Sequence, residues 1–224
     1  MNVQEGVIKF RLEHEAKKLD SRRYQELAGK LAAWRQVMSL TRLVGQRPDI
    51  YEGAGYGNVS ARIGPPSNAL GRRAFLITAT QTSGKAKVSL DDFVVVEKYD
   101  FRRNWVRSHG QQQPSSESMT HGAIYDQGPQ IRCVLHAHSP DLWRQAATLR
   151  LPTTDPDVAY GTPEMAREVQ RLFRETAVAE RQILAMGGHE DGILAFGRSP
   201  EEAGQMLVTQ LARAFETQAG TVPR

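Results

Sequence analysis

The sequence predicts an α/β protein organised as one domain, and three observations lead there. Amphipathic stretches at helical spacing occupy the start of the chain and follow two capped helix starts near its end. Short apolar runs of strand length lie between glycine-rich loops, and 224 residues, 40% of them hydrophobic, suit one sizeable core rather than two. From Val7 to Val44 the residues Leu27, Leu31, Trp34 and Met38 recur at helical spacing among Arg, Lys and Glu, which predicts two helices broken near Asp20-Ser21. Glycines cluster in Gly53-Ala54-Gly55-Tyr56-Gly57, and strand-like runs follow at residues 74–78 and 93–96.

The second half alternates in the same way. A polar loop, residues 108–116, leads into a short helix over 117–125 and then a strand over 131–138. Thr162-Pro163-Glu164 combines an N-cap residue, a proline at the first helical position and an early acid, so a helix starts there. Ser199-Pro200-Glu201-Glu202 repeats the device with the spacing of a capping box. Between these helices, residues 183–186 and 193–196 read as strands of a hairpin around Gly187-Gly188-His189-Glu190-Asp191-Gly192.

Composition excludes several classes. The formal charge is +4, but the 29 Lys and Arg are interleaved with 25 acids rather than gathered in a block, so no nucleic-acid partner is expected. No apolar run approaches the roughly 20 residues needed to span a bilayer, and the charged first residues do not resemble a signal peptide, so a cytoplasmic protein is expected. The single cysteine, Cys133, rules out an internal disulfide and a cysteine-built metal site and reads as a buried small hydrophobe. A phosphate-binding P-loop fails at Ala79 and Ala86, and a dinucleotide fingerprint fails at Asn58. Neither His14-Glu15 nor His189-Glu190 has the second histidine of a zincin helix.

His136 and His138 are two residues apart in the predicted strand, and a strand sends alternate side chains to one face, so both imidazoles can reach one metal ion. On its own the pair is also what two ordinary buried histidines look like. Upstream, Pro114-Ser115-Ser116-Glu117 sets hydroxyls and amides before a carboxylate at a helix start, a place that favours anions and suits a proton shuttle, or a simple first-turn acid. Gly57-Asn58-Val59-Ser60 and Thr82-Ser83-Gly84-Lys85 are small polar loops suited either to turns or to cradling a phosphate.

Taken in order, Gly57-Asn58-Val59-Ser60, Thr82-Ser83-Gly84, Pro114-Ser115-Ser116-Glu117 with His121, and His136-Ala137-His138-Ser139 resemble the class II aldolase/adducin family. Tyr160-Gly161-Thr162-Pro163-Glu164 and the helix start at 197–203 extend the resemblance to roughly residues 53–214. It implies a three-layer α/β/α domain around a mostly antiparallel sheet, over residues 47–224, with residues 1–46 as a helical extension packed on it. It implies a homotetramer, a small sugar or sugar-phosphate-like substrate, and a divalent metal, zinc first, with manganese or iron as alternatives. Glu117 becomes the acid/base, His136 and His138 become metal ligands, and Asn58, Ser83, Gly84, Ser115 and Ser116 hold a phosphate. The third ligand departs from the family pattern: counting back from Gly197 lands on Asp191, with His189 two residues earlier, so His189, Asp191 or both are candidates. The activity implied is a metal-dependent aldolase-type lyase; a dehydratase, an epimerase and a non-catalytic adducin-like module share the pattern. Tyr56, Tyr125 and Tyr160 are candidate second proton donors.

Overall fold

Charged residues alternate with Leu12 and His14 in the first element, β1 (Arg11–Ala16), and that period of two makes it a strand, not the first of two helices. The helical residues identified from spacing all follow Asp20, whose carboxylate caps α1 (Ser21–Leu40) by accepting from the Arg22 amide at 3.0 Å. A small ribbon of β2 (Gly45–Gln46) and β3 (Gly55–Tyr56) leads to β4 (Asn58–Arg62), β5 (Phe75–Thr78), β6 (Phe93–Asp100) and β7 (Trp105–Gly110). Then come α2 (Ser118–Tyr125), β8 (Cys133–His138), α3 (Pro140–Arg144), α4 (Pro163–Glu175), α5 (Val178–Arg181), β9 (Ile183–Ala185), β10 (Gly192–Gly197) and α6 (Pro200–Gln218). This computed structural model describes residues 6–220; residues 1–5 and 221–224 lie outside that range.

Eight strands form one sheet in the order β1-β7-β6-β5-β4-β8-β10-β9. Only the β1/β7 pair is parallel, so the sheet is mostly antiparallel. Successive side chains leave opposite faces. Leu76, Val95, Cys133, Leu135, Ala137, Ile193 and Ala195 enter one apolar cluster with α1, α3 and α6, whereas Phe75, Ile77, Val94, Val96, Val134, Leu194 and Phe196 enter a second with α2 and α4. These two cores are the outer interfaces of a three-layer α/β/α fold. The predicted hairpin is present, with Leu184 opposite Leu194.

The predicted caps form too. Thr162 accepts from the Met165 amide at 3.3 Å and Ser199 from the Glu202 amide at 3.2 Å. The return bond from Glu202 goes to the Arg198 amide, one residue beyond the position a capping box uses. Cys133 is buried in the first cluster, and burial raises its thiol pKa, as expected of a packing residue. Among the described residues no helix is long and apolar enough to cross a membrane.

Candidate metal centre

Antiparallel pairing brings the ends of three central strands to one edge of the sheet. Asn58 on β4 lies opposite His136 on β8, and Gly192 on β10 lies opposite His138. His136 and His138 follow Val134 at the period of two and therefore share its face, under α2. His189 arrives from the turn between β9 and β10, which is closed by Gly192 N–H donating to the His189 carbonyl at 2.9 Å. The three imidazoles are buried, and one nitrogen from each lies within 4.8 Å of the others. Their ring centroids are 4.7 to 5.1 Å apart.

The chemistry of these nitrogens fits a cation. His136 Nδ1 lies 3.3 Å from the Ile193 carbonyl, which can only accept, so Nδ1 carries the proton and the Nε2 lone pair is left for a ligand. Nε2 is buried with no hydrogen-bond partner among the described residues. Burial, reinforced by the neighbouring imidazoles, holds His136 and His138 well below the ordinary histidine range. Both rings are therefore neutral, the state in which imidazole binds metal.

Asp191, the alternative oxygen ligand, stands outside this group. Strand alternation does not carry it to the face of His189, because residues 187–191 form a turn and Asp191 itself has φ of 61°. Its carboxylate instead accepts a hydrogen bond from the Tyr51 hydroxyl at 2.6 Å. The Tyr51 ring meets His138 edge-on at 4.8 Å, and burial, then Asp191, raises its phenol pKa. Asp191→Asn is accordingly expected to retain the metal content of wild type while His189→Ala loses it, measured by elemental analysis after dialysis. Metal loss in Asp191→Asn would return the carboxylate to the ligand set.

Glu117 is buried at the N-cap of α2, makes no capping bond with its side chain, and places Oε1 3.6 Å from His189 Nδ1. The Ser115 hydroxyl accepts from the Glu117 amide at 3.2 Å, and the Ser115 carbonyl accepts from the Ser118 hydroxyl at 2.7 Å, so Ser115 shapes the turn that aims the carboxylate. Ser116 is buried beside it. Asn58 is buried with Oδ1 lacking a hydrogen-bond partner among the described residues.

The second loop forms a separate wall. Ser83 donates to the Gly57 carbonyl at 3.0 Å, and Gly84 packs so closely on Gln46 that an added Cβ would come within 2.3 Å of its side-chain oxygen. Gly57, at φ of 76°, hands the chain to Asn58 where a Cβ would meet the His136 and Leu43 carbonyls at 3.0 Å. A cleft of about 420 Å³ is lined by Gln46, Ser83, Gly84 and Lys85, and one of about 560 Å³ by Tyr51, His138 and Asp191. Arg42, Arg47 and Tyr56 line both. Ser115 and Ser116 line neither, and Lys85 is paired with Asp92.

Of the tyrosines singled out from sequence, Tyr160 stacks on His189 at 4.4 Å with the Lys9 ammonium 3.5 Å over its ring, and Tyr56 lies 5.6 Å from His138. Tyr125 bonds Ser60 in the interior. Tyr51 was not foreseen, and neither was Arg35. This buried arginine occupies the inward stripe of α1 between Leu31 and Met38, and its guanidinium donates to the carbonyls of Thr82, Ser83 and Lys85 at 2.8 to 2.9 Å. The sequence signal was available: an arginine at an apolar position of a helical repeat. Arg35→Met, which keeps the stem but frees three carbonyls, is expected to cost about 2–3 kcal/mol of stability. It should also raise amide exchange in residues 82–85, read by denaturant titration and hydrogen exchange; protection unchanged at those amides would refute the clamp.

The sequence model of the class II aldolase and adducin N-terminal domain matches residues 35–219. Methylthioribulose-1-phosphate dehydratase of Leptospira biflexa is 27% identical over 211 residues, spanning 79% of this chain and 92% of that protein. L-fuculose-1-phosphate aldolase from Thermus thermophilus superposes with a TM-score of 0.60 at 19% identity, covering 88% of this chain and 98% of the other. A sugar-phosphate aldolase from Thermotoga maritima gives 0.61 at 14% identity, covering 88% and 99%. At such identities the two solved structures speak to the fold.

Proposed function

Because the chain belongs to the class II aldolase and adducin N-terminal domain family, we propose that it is a metal-dependent lyase acting on a small phosphorylated hydroxy-carbonyl compound. The observation that carries this reading is the convergence of His136, His138 and His189 within 4.8 Å beside the buried Glu117 carboxylate. His136, His138 and His189 would hold a divalent cation, zinc first and manganese or iron as alternatives, and that cation would supply Lewis-acid positive charge at the carbonyl end of the substrate.

The chain's own groups do the rest. Glu117 takes or returns the proton at the carbon beside the carbonyl, and its burial against His189 keeps bulk water from competing for it. Asn58, Ser83 and Gly84 hold the phosphate end, while Ser115 supports the turn that carries Glu117 and Ser116 lies buried beside it. Tyr51, tied to Asp191 and edged against His138, closes the other side of the cleft. An assembly of several copies, a tetramer by family resemblance, belongs to the same proposal.

Loss of water is a second form of the reaction, favoured by the 27% identity to a dehydratase over 92% of that protein; aldol cleavage is the form suggested by the family resemblance. The deciding experiment incubates zinc-loaded protein with methylthioribulose 1-phosphate and, separately, with fuculose 1-phosphate. Dehydration of the first assigns the water-losing lyase, and two carbonyl fragments from the second assign the aldolase. A protein that takes up no metal and turns over neither compound defeats the lyase reading and leaves a binding module.

A further inference from the structure

A lysine from the start of the chain reaches the histidine cluster. Lys9 precedes β1 and lies outside residues 35–219, the span that the family model matches. Its backbone is anchored: Asn104 donates its side-chain amide to the Lys9 carbonyl at 2.9 Å, and the Asn104 carbonyl accepts from the Arg11 amide at 2.8 Å. The next residue, Phe10, is buried in the second apolar cluster. From this fixed point the Lys9 ammonium donates to the Tyr160 carbonyl at 3.1 Å and stands 3.5 Å over the Tyr160 ring. Gly161, at φ of 67°, keeps the way clear, since a Cβ there would lie 3.2 Å from the Ser116 carbonyl and 3.9 Å from the Lys9 stem.

The ring so held is the one that meets His189. Tyr160 is 1% exposed, and its ring stacks on the His189 imidazole with centroids 4.4 Å apart and planes 24° from parallel. His136 and His138 take their common direction from strand alternation. His189 stands in the turn of residues 187–191, where no such period applies, so the plane of its ring has to come from what packs on it. An ammonium over a buried aromatic face is a strong contact, and here the same group also bonds the backbone that carries the ring. One side chain thereby pins both the loop and the ring on which the third imidazole lies.

We propose that Lys9 is a positioning residue of the metal centre: it fixes Tyr160, and Tyr160 fixes the plane in which His189 presents its nitrogen. The segment before β1 then belongs to the site and is more than a cover for the sheet. The proposal rests on the reading of the three imidazoles as metal ligands.

Its test uses the full-length protein loaded with cobalt(II), whose visible absorption reports the geometry of its ligands. Lys9→Met keeps an unbranched stem and removes the ammonium. It is expected to shift the cobalt bands and to weaken cobalt binding about tenfold in competition with a chelator, the lower end of what a lost supporting partner costs. Loss of charge alone has the opposite sign, because removing a nearby cation relieves repulsion of the metal ion. Tighter binding with unchanged bands would therefore overturn the proposal, as would a spectrum and affinity equal to those of wild type. Lys9→Arg, whose guanidinium also donates and lies over aromatic rings, is expected to restore the wild-type bands; bands as shifted as in Lys9→Met would mark the position as packing only. In a Tyr160→Leu background Lys9→Met is expected to have no further effect on the bands, and an undiminished effect there would show that Lys9 does not act through Tyr160. A wild type that takes up no cobalt would remove the metal reading and this proposal together, whereas a loaded wild type indistinguishable from Lys9→Met removes this proposal alone.

Discussion

Replacing His136 by alanine is expected to reduce metal affinity by at least about 100-fold and to abolish turnover. Removing partners that only support a metal ligand already costs about 10–100-fold, and His136 is a ligand candidate whose tautomer is preset by the Ile193 carbonyl. Two imidazoles would be left where three converge. The measurement is elemental analysis after dialysis against a weak chelator, with circular dichroism to compare the variant with metal-stripped wild type. The two should share one fold, because neither strand pairing nor the apolar clusters contain the His136 side chain. Stoichiometric metal in His136→Ala would mean that the histidine cluster is not where the cation sits.

The second large effect is expected at Glu117. Glu117→Gln preserves the side-chain volume at a position only 1% exposed and leaves the backbone bond to the Ser115 hydroxyl intact, so metal content and thermal stability should change little. The rate should fall by about 10²–10⁴-fold, the usual range for loss of a positioned general acid or base. The fall should appear in kcat and in kcat/KM alike, since the amide binds a ground-state ligand about as well but does not take up the proton. A variant with normal kcat and full metal would remove Glu117 from the chemistry.

Much of this architecture was legible before any coordinates, and the parts that were not have specific causes. The strand carrying His136 and His138 announced itself through six residues that alternate between a packed face and a ligand face. The starts of α4 and α6 were legible because Thr162 and Ser199 cap in the way short-range chemistry dictates. By contrast β4 hides, because Asn58, Ser60 and Arg62 put three polar side chains on a buried face and erase the apolar alternation. In β7, Arg107 and His109 pair with Glu97 on β6, a cross-strand arrangement that no local window reveals. The strand β1 was absorbed into the neighbouring helix because its charges resemble a solvated helical face. At the site, the choice between His189 and Asp191 depended on a turn whose φ of 61° at Asp191 breaks the strand period. Tyr51 reaches Asp191 across 140 residues of chain, a contact only the folded topology makes.

That last distance has a counterpart in time. The histidine cluster is assembled from strand ends that pair late in a chain, with His136 waiting on the Ile193 carbonyl 57 residues away. Contacts of such long sequence separation are slow to form, because loop closure precedes any energetic return. A cation that binds only the finished cluster is thus a passenger in folding and a brake on its reversal: adding zinc during refolding should leave the folding rate unchanged and slow unfolding instead. The protein's working lifetime would then be set by how much metal its surroundings supply, rather than by how quickly its sheet closes.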